Sequence, residues 1–170
     1  MARAGAGGDT SFEAVYEELF SRAATLAFRL LGNRAAAEDV AAEALARTYA
    51  HWRRVSTLPY RDGWVLRVAT NLAIDVARRQ PPAALPAEPL DAEEATTVRL
   101  ALVAALRTLP DRQRHAVALR YLSGLREDEV ATTLGISTST ASTHVRRGLD
   151  ALRRCLGDGF AEEGLADAGF

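Results

Sequence analysis

The sequence predicts an all-α fold of two small helical domains joined by a flexible linker, the second ending in two helices set around a glycine turn. Three observations predict it. Apolar residues recur at helical spacing in one segment after another, and no strand-period alternation appears before Arg99. A proline- and alanine-rich stretch whose only charges are acidic, QPPAALPAEPLDAEEA, divides the chain. Residues 125–154, LREDEVATTLGISTSTASTHVRRGLDALRR, set Gly135 between two short amphipathic segments.

Phe12, Val15, Tyr16, Leu19 and Phe20, followed by Leu26, Leu30 and Leu31, give a first amphipathic helix that stops at Gly32-Asn33. A second helix is expected over about residues 35–54, with Val40, Ala44, Leu45, Tyr49 and Trp52 on its buried side. Pro59 and Gly63 mark residues 55–63 as a loop. Residues 64–79 then form a helix with Val65, Ala69, Leu72 and Val76 inward. Arg67, Asn71, Asp75 and Arg78 make a polar stripe on it, one turn apart. Pro81-Pro82 ends that helix, because neither ring can donate a helix hydrogen bond.

After the acidic linker, Val98, Leu102, Leu106 and Leu109 restart a helical pattern, Pro110 breaks it, and residues 111–122 form the next helix up to Gly124. Val130, Ala131 and Leu134 face the core from the first helix of the final pair, and Ile136 fills the angle. Ser137 offers an N-cap oxygen to the last helix, where Ala141, Val145, Leu149 and Leu152 turn inward. Ser139, Thr140, Ser142, Thr143, Arg146 and Arg147 are left toward solvent. Short hydroxyls at the tip of a helix with arginines one turn on suit entry into a DNA major groove; the same pattern also suits a hairpin of helices with a solvated polar face. The boundaries expected are a disordered 1–10, a first domain over 11–80, a linker over 81–96, a second domain over 97–156 and a flexible tail over 157–170.

Composition excludes several classes. With 48% hydrophobic residues in 170 the chain is globular, not disordered, and no apolar run is long enough for a membrane span. The N-terminus lacks a signal peptide's apolar core, so a cytoplasmic protein is expected. Cys155 is alone, and His51, His115 and His144 lack metal-ligand spacing, so all four read as structural or surface residues and no metal site is expected. No cluster of nucleophile, base and oxyanion donor occurs, so no catalytic residue and no cofactor are expected either. The formal net charge of −1 hides a segregated pattern: Arg146, Arg147, Arg153 and Arg154 crowd the last helix, while Glu88, Asp91, Glu93 and Glu94 share a stretch without any basic residue. Every one of the 21 Lys+Arg positions is arginine, whose planar fork binds phosphate and guanine edges through two hydrogen bonds at once.

Two helical modules, the second ending in a helix-turn-helix after LPDRQRHAVALRYLSGL, resemble the extracytoplasmic-function sigma factors, group IV of the sigma-70 family, and among them the actinobacterial sigma-E-like branch. The resemblance covers about residues 12–156. AEDVAAEALARTYAHW is similar to the segment that docks on the clamp helices of the polymerase β′ subunit, with Asp39, Val40, Glu43 and Leu45 on matching positions. GWVLRVATNLAIDVARR is similar to the helix that opens and reads the minus-ten promoter element; this implies DNA-binding roles for Trp64, Arg67, Asn71, Asp75, Arg78 and Arg79, with Arg61 just before them. The second module resembles the reader of the minus-thirty-five element, through Ser139, Thr140, Ser142, Thr143, Arg146 and Arg147.

What the resemblance implies is a promoter-specificity subunit. Its partners would be core RNA polymerase, through the β′ clamp helices and the β flap, promoter DNA and an anti-sigma factor, with no membrane insertion. Melting requires unstacked bases to be captured beside a cationic surface, a task that residues 55–63 and the following helix start would share. Ser142 and His144 depart from the family, whose members often carry Lys and Arg there, and Arg126 replaces the usual Ser or Thr cap. The residues by themselves leave open a free-standing helix-turn-helix regulator, which would bind duplex DNA as a dimer.

Overall fold

Ser11 starts the first helix, its hydroxyl accepting the Ala14 N–H at 3.3 Å and so satisfying one donor that a helix start leaves open. The structure, a computed structural model, describes residues 11–79 and 92–157. The expected disordered N-terminus, most of the linker and the expected tail lie outside those residues. Helix α1 (Phe12–Leu31) buries Val15, Leu19, Leu26 and Leu30 and stops at Gly32, whose φ of 64° is a left-handed conformation that favours glycine. Asn33 Oδ1 accepts the Ala36 N–H at 2.9 Å and opens α2 (Arg34–Ala50). Ala37, Ala41 and Ala44 on the buried face of α2 let it lie close along α1.

The sequence reading is corrected at the end of this helix. Instead of running to residue 54, α2 gives way at His51 (φ −115°, ψ 15°), and a single turn, α3 (Trp52–Val55), follows at a new angle. The break leaves Tyr49, expected in the core, 61% exposed, and it seals Val55, expected in a loop, at 1%. Tyr49 and Trp52 instead share an aromatic cluster with Phe12, their ring centroids 5.0 and 5.1 Å from its ring. Helix α4 (Arg61–Arg79) begins three residues before the expected start, so Gly63 lies within it and the loop shrinks to residues 56–60. Val65, Leu66, Ala69, Ala73 and Ile74 pack it onto α1 and α2, while Leu72 and Val76 are only half-buried.

Helix α5 (Ala92–Thr108) also starts early, within the stretch read as linker. Pro110 separates it from α6 (Asp111–Val117), which does not continue as a regular helix to residue 122. It widens into a π-helical turn (Ala118–Leu122), closed by the Ser123 N–H on the Ala118 carbonyl at 3.1 Å. The hairpin α7 (Glu127–Leu134) and α8 (Thr138–Leu156) follows as expected. Gly135 (φ 64°) makes the turn, and the Ile136 N–H reaches back to the Ala131 carbonyl at 3.0 Å. Gly148 lets α8 approach α6, since a Cβ there would overlap Val117.

The two modules do not stand apart. One apolar core runs through both, and α4 packs on α5, on the π-turn and on α7. The Arg29 guanidinium of α1 donates to the Leu122 carbonyl at 2.6 Å, Gly63 of α4 lies directly against Thr133 of α7, and His115 of α6 meets Asn71 of α4.

Candidate nucleic-acid interface

Three surfaces carry the residues singled out from the sequence. The first is on α2, where the helical period separates the four chosen residues into pairs. Asp39 and Glu43 are exposed one turn apart, and Glu43 is engaged by Arg47 at 2.7 Å. Val40 and Leu45 lie on the opposite face, 3% and 1% exposed, in the core. Their assignment as docking residues is therefore corrected: they hold α2 in place, and of the four only the two carboxylates are open to solvent.

The second surface is the stripe of α4. Arg78, Arg79 and Asp75 are exposed, with Arg78 and Asp75 at 3.8 Å. Trp64 is half-buried against the His51 ring, centroids 6.3 Å apart, and Arg61 is half-buried beside Asp62 at 3.5 Å. Arg67 departs from the expectation of a solvated stripe. It is half-buried, its Nε has no hydrogen-bond partner, and burial, followed by the neighbouring Arg112 guanidinium, lowers its pKa, with Tyr60 opposing. Asn71 is exposed overall, yet its Oδ1 accepts from the His115 imidazole N–H at 2.9 Å.

His115 is the residue that sequence reasoning assigned least to. It is 6% exposed, and its pKa falls to about 4 through burial first, then Arg67 and Arg114, with Asp111 opposing and Arg112 adding to the decrease. No sequence signal marks it, because its partner lies 44 positions away.

The third surface is α8. Ser137 caps the helix, accepting from the Thr140 N–H at 3.2 Å, and its hydroxyl also contacts those of Ser139 and Thr140 at 3.0 and 2.8 Å. Ser139, Thr140, Arg146 and Arg147 are exposed and project from one helix, hydroxyls at the tip and guanidinium groups behind. Ser142 and Thr143 are half-buried instead of open to solvent, and the Thr143 hydroxyl donates to the Ser139 carbonyl at 2.9 Å, which leaves its oxygen free to accept. His144, left out of the expected reader set, sits half-buried among these residues with Nδ1 unpartnered. Arg126 does replace a side-chain cap on α7, but Glu129 compensates by accepting the Arg126 N–H at 2.7 Å.

Among the described residues, no helix is long and apolar enough to cross a membrane, and no group of three or more His, Cys, Asp or Glu is placed to hold a metal.

Comparison with known proteins places both modules. The family described as Sigma-70 region 2 matches residues 15–81, and the one described as Sigma-70, region 4 matches residues 99–152. The chain is 31% identical over 157 residues to the ECF RNA polymerase sigma factor SigW of Bacillus subtilis, a match covering 78% of this chain and 82% of that protein. It is 32% identical over 131 residues to the RNA polymerase sigma-E factor of Streptomyces coelicolor, covering 74% of each. Against the ECF sigma factor SigE of Mycolicibacterium smegmatis it is 31% identical, over 84% of this chain and 60% of that one. Among solved structures, the sigma factor RpoE of Bartonella quintana, crystallised with the anti-sigma factor NepR, shares the fold: TM-score 0.51 at 18% identity, over 86% of this chain and 97% of that one.

Proposed function

This chain belongs to the extracytoplasmic-function RNA polymerase sigma factors, and we propose that its three surfaces divide the family's work among them. The chain directs core RNA polymerase to specific promoters and assists DNA melting at initiation. The observation that carries this is the match of both sigma-70 regions, in order, to the two helical modules of one chain. A free-standing regulator has no use for a polymerase-binding first module.

In our reading residues 11–80 and 97–156 are the two working units, with α5 extending the second back to Ala92. Asp39 and Glu43 engage basic groups on the β′ clamp helices, an interaction supported by their exposure and spacing on α2. Along α4, Asn71 recognises an unstacked minus-ten base while Arg61, Arg67, Arg78 and Arg79 hold phosphates; Trp64 supplies an aromatic face, and Asp75 orients Arg78. Ser139, Thr140, Ser142 and Thr143 meet base edges and sugars of the minus-thirty-five element, and Arg146 and Arg147 its phosphates. The family acts by binding, and on this reading no residue of the chain is catalytic and no cofactor is needed. Its place of action is the cytoplasm, where polymerase and promoter meet. The second module also contacts the polymerase β flap, and an anti-sigma factor is its regulator; a sigma factor of the same fold, RpoE, was crystallised with one, NepR.

The test is reconstitution. Purified chain added to core polymerase and a supercoiled promoter library should give discrete transcripts from two-part promoters; a chain that binds palindromic duplex unaided and yields no transcript would overturn the reading.

A further inference from the structure

Resting on the assignment of α4 as the minus-ten reader, we infer that in the free chain the second module covers the head and middle of that reader, with the Asn71–His115 hydrogen bond as the latch, so that promoter opening requires the modules to part. The acceptor oxygen of Asn71 is occupied by His115 at 2.9 Å, although an unstacked base would need that group. Arg67, in the middle of the stripe, faces Arg112 of the second module and keeps a buried Nε without a partner. At the head of α4, Gly63 lies so close to Thr133 that a Cβ would overlap its side chain. The covered part of the reader is its head and middle, Gly63, Arg67 and the Asn71 acceptor, while Asp75, Arg78 and Arg79 stay exposed.

The seam is apolar at its centre and polar at its edge. Beside Gly63 it opens into a crevice of about 450 Å³ lined by Tyr60, Arg61, Asp62, Asp128 and Thr132, among others, a polar margin next to the shared core. The like-charged Arg67 and Arg112 guanidinium groups repel each other across the seam. Binding to polymerase, which must hold the modules on separate promoter elements, then pulls them apart at the expense of these contacts.

Acid should favour the open form. His115 is neutral when packed, with Arg67 facing it from α4 and Arg112, Arg114 and Asp111 from its own helix. Protonation retains the Nε2–H, so the cost of acid is not a lost donor but a buried cation among three arginines. The packed form binds fewer protons than the open one. Its population relative to the open form is then greatest above the ordinary imidazole pKa and falls about tenfold per pH unit as the pH drops from there toward about 4.

Spin labels on the native Cys155 of α8 and on Glu17→Cys of α1, both exposed, report the separation of the modules in the full chain without DNA or polymerase. Pulsed electron resonance at pH 7.5 should give one narrow distance distribution, which becomes broad at pH 5 and in His115→Ala. Gly63→Ala, which raises helix propensity locally but wedges against Thr133, should do the same with no change at His115. A distribution already broad at pH 7.5, or one that stays narrow in both variants, overturns the latch. Anisotropy with a labelled, randomised single-stranded DNA pool reads the cover itself: His115→Ala should bind several-fold more tightly than wild type. Modules that part with no gain in DNA affinity would refute the cover, whereas failure of the promoter reading appears separately, as absent transcripts with core polymerase.

Discussion

Asp39 and Val40 are neighbours in sequence and face opposite ways, and this decides what each contributes. Replacing Asp39 and Glu43 by Arg should abolish binding to core polymerase in a pull-down, with a change in folding stability within about 0.5 kcal/mol for each exposed site. Leu45→Ala should do the reverse, losing about 2–5 kcal/mol in urea unfolding through the cavity it leaves, with binding affected only as far as the helix is lost. If Asp39 and Glu43 proved dispensable for polymerase binding, the docking surface would have to be sought elsewhere on the first module. On α8, Arg147→Ala should weaken promoter binding across sequences alike and lower the slope of log affinity against log salt by about 1. A change in base preference at an unaltered slope would assign Arg147 to base reading instead of phosphate.

Among the elements, the recognition helix depends on how closely α8 can approach α6. Gly148→Leu forces a side chain onto Val117 and should cost about 1–3 kcal/mol by overpacking, read in urea denaturation; a silent substitution would mean that the two helices do not meet there. The elements were largely legible in the sequence because their signals are local. Ser137 caps the last helix, and Gly32 and Gly135 end the helices before them at positive φ; the caps Ser11 and Asn33 emerge only in the structure. The errors share a cause as well. Uninterrupted apolar spacing around His51 and Leu119 reads as continuous helix, but packing bends the chain at the first and widens the second into a π-turn. Periodicity records which residues are apolar, not whether the axis remains straight.

At the scale of the whole molecule, the continuous core couples the modules. Trp52 and Trp64 both lie in the first module, so tryptophan fluorescence follows that unit, whereas circular dichroism follows both. At pH 7.5 the two urea transitions should coincide. Because the His115 pKa is depressed to about 4 in the packed state, the stabilisation that packing provides is complete above the unperturbed value and is lost as pH falls through the window between them, at about 1.4 kcal/mol per pH unit. The transitions should therefore diverge at pH 5, and in His115→Ala they should be separate already at pH 7.5. Coincident transitions under every condition would show that the seam does not depend on this histidine.

The sequence by itself determined the helices, their glycine turns, the division into two modules and the family, since each is written in residues a few positions apart or in a contiguous motif. Tertiary structure alone decided that Tyr49 is exposed, that Arg67 is partly sealed, and that Asn71 is held by His115. Those outcomes depend on which faces meet once the chain has folded back on itself. A hydrogen bond across 44 residues leaves no periodic trace at either end.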